Sequence, residues 1–437
     1  MSLGETLRPP PPGPEPEGAE PVDVSIVLPC LNEILSLPHC LQQTSEVLAK
    51  MQATLGLRGE VVVADNGSTD GSLDIIPRYG ARVVPCPVRG YGNALRWGIV
   101  GSRGRYIVMG DADGSYDFFE SVPMVEKLID GFEICMGSRF KGRIMPGAMP
   151  WKNRYIGNPI LTGVLNVFYR SGLSDAHAGL RAFTREAFEK MNPTSPGMEF
   201  ASEMVIKATL LDLRRTEVPI TLHPDMRDRP PHLRPWQDGW RHLRFLLMLS
   251  PLWLYFLPAT ALVVLGSAIL AIVLSTPPGE VARWGRFWIG EHWMTIGTTL
   301  LLCGHQSALL GLAATLLGVR ERYRRVTPLQ MWLFQAARLD RLLLLGATLG
   351  LAGLGVLAYV LFVWAASGFG ALHMTREMVL GTTLLVLGFQ TILSAFLLSV
   401  VAGNDADLDV VARRVARASA GPGLPADAAK GDGHAVS

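Results

Sequence analysis

Asp111 and Asp113 stand one residue apart at the end of the apolar run Tyr106-Ile-Val-Met-Gly110, with Gly114 directly behind them. Two carboxylates at that spacing can chelate one hard divalent cation that shares its other positions with a diphosphate. A polar turn after a core strand has the same composition, so the pair alone leaves both readings open. Its surroundings weigh toward a ligand site. Leu28-Pro29-Cys30-Leu31-Asn32-Glu33 and Ala64-Asp65-Asn66-Gly67-Ser68-Thr69-Asp70-Gly71 also close short apolar runs with acids. Open α/β sheets bind ligands at the carboxyl ends of their strands. Three acidic strand ends on one rim point to recognition of base and ribose hydroxyls, then of a metal-bound diphosphate.

Positioning those ends requires a sheet. Apolar runs bounded by turn residues alternate with helical patterns, which predicts an α/β domain with a mainly parallel sheet. The expected strands are Val24–Pro29, Glu60–Asp65, Ala81–Cys86, Arg105–Gly110 and Glu133–Gly137. The expected helices are Ile34–Gln52, Leu73–Tyr79, Asn93–Ser102 and Phe119–Asp130. The loop Gly90-Tyr91-Gly92-Asn93-Ala94-Leu95 lacks the third glycine of a dinucleotide fingerprint and follows the third strand, not the first. No Walker-type loop with Lys-Ser or Lys-Thr occurs either.

The chain has 437 residues, is 49% hydrophobic and 18% charged, and has a formal net charge of +2. That length implies more than one domain, and the near-neutral balance gives no reason to expect a nucleic-acid partner. Four runs, about Leu252–Leu274, Trp293–Gly318, Leu342–Ala366 and Met378–Val401, are long and apolar enough to span a bilayer. Arg320, Arg322, Arg324, Arg325, Arg338 and Arg341 fall between the second and third, whereas the first and third connections carry only Arg283, Arg286 and Arg376. The positive-inside rule then places the soluble domain, the Arg-rich loop and the C-terminus in the cytoplasm, in a multi-pass plasma (inner) membrane protein. The expected order is a disordered Pro-rich tail (1–21), a soluble domain (22–234), an interfacial helix (235–250), four membrane helices (251–402) and a disordered tail (403–437). Residues 1–21 have no apolar core that would make a signal peptide. Cys30, Cys40, Cys86, Cys135 and Cys303 show no metal-like pairing and fit reduced thiols.

Taken in order, Leu28-Pro-Cys-Leu-Asn-Glu33, Asp65-Asn-Gly-Ser-Thr-Asp70 and Asp111-Ala-Asp113 resemble the successive signatures of family 2 glycosyltransferases. Gly137-Ser138-Arg139, Asp175-Ala-His-Ala-Gly-Leu-Arg181-Ala-Phe and the membrane helices behind them resemble the polyprenyl-phosphate hexosyltransferases, among them the dolichyl-phosphate mannose synthases. Pro146-Gly-Ala-Met-Pro-Trp-Lys-Asn-Arg-Tyr-Ile-Gly-Asn-Pro159 looks closest to the bacterial glucosyltransferase branch. The resemblance covers about Val22 to Pro251. It implies a single nucleotide-binding domain of glycosyltransferase A type, with a mainly parallel mixed sheet and helices on both faces. It further implies dependence on Mg²⁺ or Mn²⁺ and inversion at the anomeric carbon.

Carried over by residue, the resemblance puts Pro29, Asn32, Glu33, Asp65, Asn66 and Ser68 around the nucleoside and Gly90, Tyr91, Gly92 and Asn93 against the nucleotide. Asp111, Ala112 and Asp113 would face the ribose-diphosphate and the metal, with Arg139 and Arg181 holding the acceptor phosphate. Two residues after the second acid, where the mannose synthases usually have Gln, Ser115 stands here, followed by Tyr116 and Asp117. That departure favours the glucosyl branch and leaves the third metal ligand open.

The implied reaction moves one hexose, with glucose from UDP-glucose as the leading donor and GDP-mannose or another nucleotide sugar as the alternative, onto polyprenyl phosphate. A phosphate monoester is already anionic, so it needs alignment more than a general base. Surface solvation or a salt bridge is the plainer reading of Arg139 and Arg181, and the motif context weighs toward the phosphate role instead. His177 and Glu199 are marginal, the first as a structural histidine and the second as a helix N-terminal acid, and Asp175 is read as fixing Arg181 or its loop. Arg227, Arg229 and Arg234 are candidates for the phosphate entry. Trp236, Trp240, Arg241 and Arg244 suit a helix at the lipid headgroups, and Asn158–Arg170 is either a second lipid-facing segment or a core helix. Gln237-Asp-Gly-Trp-Arg241 has the last two residues of the processive-synthase signature reversed and is read as a coincidence. A processive synthase and a non-catalytic membrane scaffold are the competing classes, and a homo-oligomer is the only protein partnership entertained.

Overall fold

A computed structural model describes residues 21–227, 235–321, 323–324 and 326–403. The chain divides into two compact units between Leu249 and Ser250.

The first unit is built on seven strands: β1 (Val24–Cys30), β2 (Gly59–Asp65), β3 (Arg82–Pro85), β4 (Tyr106–Met109), β5 (Ile134–Ile144), β6 (Arg181–Thr184) and β7 (Arg215–Leu222). Eight helices accompany them: α1 (Leu37–Leu55), α2 (Ser72–Ile75), α3 (Tyr91–Gly101), α4 (Ser121–Ile129), α5 (Asn158–Tyr169), α6 (Arg185–Met191), α7 (Glu199–Leu210) and α8 (Pro235–Met248). The sheet order is β3-β2-β1-β4-β6-β5-β7. Strands β1 to β4 are parallel, β6 runs antiparallel to both β4 and β5, and β7 is parallel to β5. The expected parallel half is present, and the sheet as a whole is mixed.

Alternation along β1 shows how the sequence produces two cores, because successive side chains of a strand point to opposite faces. Ile26 and Leu28 pack with Leu37, Leu41 and Val47 of α1 on one face. Val27 joins Leu95 and Ile99 of α3 and Met204 of α7 on the other. Helix α3 lies close to the sheet because Gly98 has no side chain; a Cβ there would come within 2.6 Å of Val27 Cγ1. β5 continues past the expected Gly137 to Ile144, its outer half pairing with β7 beyond an irregularity between Ser138 and Arg143.

The second unit contains α9 (Leu257–Ser275), a two-stranded hairpin of β8 (Ala282–Trp284) and β9 (Phe287–Ile289), α10 (His292–Arg320), α11 (Pro328–Ala336), α12 (Leu339–Ala366) and α13 (Thr375–Val401). With a preceding π-helical turn, α9 spans Leu252–Ser275, and this helix, α10, α12 and α13 are long and apolar enough to cross a membrane. They lie over the four expected runs. Helix α11 was not expected. Its start is nonetheless legible, since Thr327 and Gln330 form a capping box on either side of Pro328 and Leu329. Small residues let α12 and α13 approach closely, and a Cβ on Gly388 would lie 2.5 Å from the Gly346 carbonyl and the Gly350 nitrogen.

Candidate active site

Because β1 lies between β2 and β4 in parallel register, the ends of all three open onto one rim. Asn32 takes a left-handed conformation (φ 59°), which Asn tolerates better than most residues. Its Oδ1 accepts from Thr69 N (2.7 Å), while its own N–H donates to Ser68 Oγ (3.0 Å). Asp65 accepts the N–H groups of Gly67 and Ser68, and Asp70 accepts those of Ile34 and Ser72. These polar residues therefore stitch the first two strand-end loops together.

The acid pair lies on the next loop. Asp113 Oδ1 accepts from Ser115 N (3.0 Å) and Oγ (2.6 Å), and Oδ2 meets Arg227 Nη2 at 3.1 Å. Arg227 also reaches Glu33 through Nε at 3.1 Å, so one guanidinium serves two carboxylates. Asp111 Oδ1 accepts from Tyr91 Oη at 2.9 Å. Burial, and then the charge of Asp113, push the Asp111 carboxyl above the usual range. A side chain at Gly179 would collide with the Asp111 carboxylate, so the glycine leaves room for it. Gly92 plays a similar part for the Gly90 loop, with α3 pressed against the carbonyl of Ser195.

These groups line a cleft of about 390 Å³, within the range of small-molecule sites. Of the anticipated residues, Pro29, Glu33, Asn66, Gly90, Tyr91, Asp111, Ala112, Asp113 and Arg227 form its wall. Asn32, Asp65, Ser68, Gly92 and Asn93 do not, and the first three act in the loop network just described. Arg229 and Arg234 fall outside the described residues. Arg89, Gly197, Met198 and Arg241 also line the cleft and were not foreseen there. Arg89 immediately precedes the Gly90 loop, the one signal that could have found it. The sequence pattern alone puts Arg241 at the lipid headgroups.

Arg139 and Arg181 lie behind the cleft. Arg139 is buried and clasped by Asp175, with Nε–Oδ2 at 2.7 Å and Nη2–Oδ1 at 2.8 Å. Burial alone would raise the Asp175 carboxyl, but the hydrogen bonds and charge of Arg139 outweigh it and hold it low. Arg181 corrects the expectation of an acceptor-phosphate ligand. It is fully buried at the start of β6, and its guanidinium donates to the carbonyls of Ala176, Ala178 and Ala201. Burial lowers it to about 10, still charged at neutral pH. The guanidinium that pairs with the Asp175 carboxylate is thus Arg139, not Arg181. His177 Nε2 lies 3.3 Å from Ser202 Oγ, while its buried Nδ1 has no hydrogen-bond partner among the described residues. Glu199 opens α7 beside Gly197.

Two family models match: glycosyl transferase family 2 over residues 25–191, and the family 2 C-terminal transmembrane region over residues 312–402. The low-salt glycan biosynthesis hexosyltransferase Agl6 of Haloferax volcanii is 40% identical over 376 residues, covering 86% of this chain and 88% of its own. The chain belongs to glycosyltransferase family 2. Other relatives of this glycosyltransferase include the dolichyl-phosphate beta-glucosyltransferase of Dictyostelium discoideum, 26% identical over 41% of this chain and 60% of that one. Among solved structures, glucosyl-3-phosphoglycerate synthase of Mycobacterium tuberculosis with Mn²⁺ and UDP aligns over 52% of this chain and 78% of its own, at 23% identity and a TM-score of 0.38.

The donor set of this glycosyltransferase suits a hard divalent cation. Asp111 and Asp113 offer carboxylate oxygens whose mutual repulsion is already expressed in the raised Asp111. Among the described residues no three His, Cys, Asp or Glu side chains are grouped as a metal cage. A cation here would therefore complete its shell with diphosphate oxygens and water, the usual pattern for Mg²⁺ at nucleotide sites.

Proposed function

We propose that the enzyme transfers one hexose, glucose from UDP-glucose, to a polyprenyl phosphate at the cytoplasmic face of the membrane, with inversion at the anomeric carbon. The observation that carries this reading is the joining of two features in one chain. One is a cleft with an acid pair at the carboxyl ends of parallel strands; the other is four helices apolar enough to cross a membrane. The Dictyostelium relative's name supports both the lipid phosphate and glucose. GDP-mannose is the alternative donor.

Asp113 and Asp111 would hold Mg²⁺ or Mn²⁺, which when bound would offset charge on the departing diphosphate. Pro29, Glu33, Asn66 and the Gly90–Asn93 loop flank the nucleotide in this reading. Arg227 adds positive charge beside the same acids. The acceptor oxygen is anionic, so no residue is needed to remove a proton from it, and alignment behind the sugar carbon becomes the main requirement. Arg139, whose Nε and Nη2 are taken by Asp175, serves mainly to set the loop behind the acids.

The test is to incubate the purified full chain with a panel of nucleotide sugars, Mg²⁺ or Mn²⁺ and a polyprenyl phosphate, and to weigh the lipid product. One added hexose, lost on chelation and restored by the cation, is expected. Long alkali-stable glycan would indicate a processive synthase instead, and no metal-dependent transfer or hydrolysis would indicate a scaffold.

A further inference from the structure

Tyr91 opens α3 between two glycines, and both glycines are pressed against one loop. A Cβ at Gly90 (φ 138°) would collide with the Pro196 carbonyl oxygen, and one at Gly92 with that of Ser195. The N–H groups of Gly92 and Asn93 donate to the same Pro196 carbonyl at 2.9 and 3.3 Å. Asn66, just past β2, completes the hold. Its Oδ1 accepts from Gly90 N (2.7 Å), and its Nδ2 donates to the Val88 carbonyl (2.9 Å). The backbone from which Tyr91 projects is thus fixed on two sides.

From that base the phenol reaches Asp111, its Oη donating to Oδ1 at 2.9 Å. Both residues line the cleft. The other carboxylate oxygen, Oδ2, lies against Gly179, where a side chain would collide with it. Gly179 is in turn held by the acid loop, since its N–H donates to the Oη of buried Tyr116 at 2.8 Å. Asp111 is therefore gripped at both oxygens, one by a hydroxyl and one by backbone, from different parts of the chain. Asp113 is held separately, by Ser115 and Arg227. A phenylalanine ring would fill the same space as Tyr91. What the hydroxyl adds is the orientation of one carboxylate.

We propose that Tyr91 is the positioning residue of the acid pair: its hydroxyl fixes the carboxylate of Asp111 for the divalent cation, and so couples the seating of the Gly90 loop to that of the metal. This rests on the cation-dependent transfer proposed above. Hydrogen-bond partners of a ligating carboxylate orient it, and losing one costs about 10–100-fold in metal affinity or activity. Without the hydroxyl, Asp111 is free to turn about its Cβ–Cγ bond, and the cost of ordering it falls on cation binding.

The test uses the full chain in detergent. Mn²⁺ binding is titrated by loss of the free-ion electron paramagnetic resonance signal, with and without UDP or GDP, and nucleotide binding is measured separately in the presence of a chelator. Tyr91→Phe should bind Mn²⁺ about tenfold more weakly than wild type. Its metal-free nucleotide binding should stay within about twofold, because the hydroxyl is assigned no nucleotide contact. In an Asp111→Ala background, which itself weakens Mn²⁺ binding, Tyr91→Phe should have no further effect, since it acts through that carboxylate. Thermal midpoints report that each variant is folded. Wild-type Mn²⁺ affinity in Tyr91→Phe, or the same tenfold loss in the Asp111→Ala background, would overturn the inference. An equal loss of metal-free nucleotide binding would overturn it too, and make Tyr91 a nucleotide contact. Wild-type protein that binds no Mn²⁺ with either nucleotide present would overturn the cation reading itself, and the positioning role with it.

Discussion

The Arg181 guanidinium is sealed against the carbonyls of Ala176, Ala178 and Ala201, and removing it strands the loop carbonyls of Ala176 and Ala178, at about 1–3 kcal/mol for each buried group. Arg181→Met is therefore expected to fail as a fold, seen as a large drop in melting temperature or loss of soluble protein. Asp113→Asn is its opposite. The amide keeps the volume and can retain a bond to Ser115 while losing the ion pair with Arg227, so the variant should still fold while lipid-linked hexose formation drops about 100-fold or more; near-normal turnover would refute the cation-binding role. His177 makes a third, pH-dependent case. Unfolded, an imidazole takes up its proton below about 6.5; folded, burial and then His242 hold this one down to about 3. The unfolded chain binds the proton first, so stability is full above pH 6.5 and is lost as the pH falls toward 3. Compared with wild type, His177→Gln should flatten the decline in unfolding free energy between pH 6.5 and 5.

Strand β6 explains why Arg181 was misread. It is inserted antiparallel between β4 and β5, with Arg181 in register with Met109 on one side and Met136 on the other. A basic residue in a motif rich in small and polar groups reads as a surface ligand; only the strand order buries it. The same loop brings Gly179 against Asp111. Gly179→Ala should displace the carboxylate and cut turnover more than it cuts stability, measured by comparing kcat with the thermal midpoint. In the second unit the close approach of α12 and α13 at Gly346 and Gly388 leaves no room for a large side chain. Gly388→Leu should separate the two helices and lower thermal stability in detergent.

On the scale of the whole molecule, four helices are apolar enough to cross a membrane, and the arginines between the second and third of them set an expected orientation. Single cysteines placed at Gly279 and Gly368 should react with an impermeant reagent added outside the cell, above the background of the native thiols. Reaction only after lysis would reverse the proposed topology.

Much of this was readable from the sequence, because it depends on local patterns. Strand ends marked by Pro29, Asp65 and Asp111 follow apolar runs of the right length, and four runs long enough to cross a bilayer announce themselves by composition. The parallel half of the sheet, the spans and most of the cleft wall follow from such signals. What required the tertiary structure was contact between residues distant in the chain. Arg139 pairs with Asp175 across 36 positions, and Ser202 joins His177 to His242 across 25 and 40. Whether an arginine faces a ligand or a carbonyl depends on which strand lies beside it, and that is decided by sheet order, which leaves no periodic trace in the sequence.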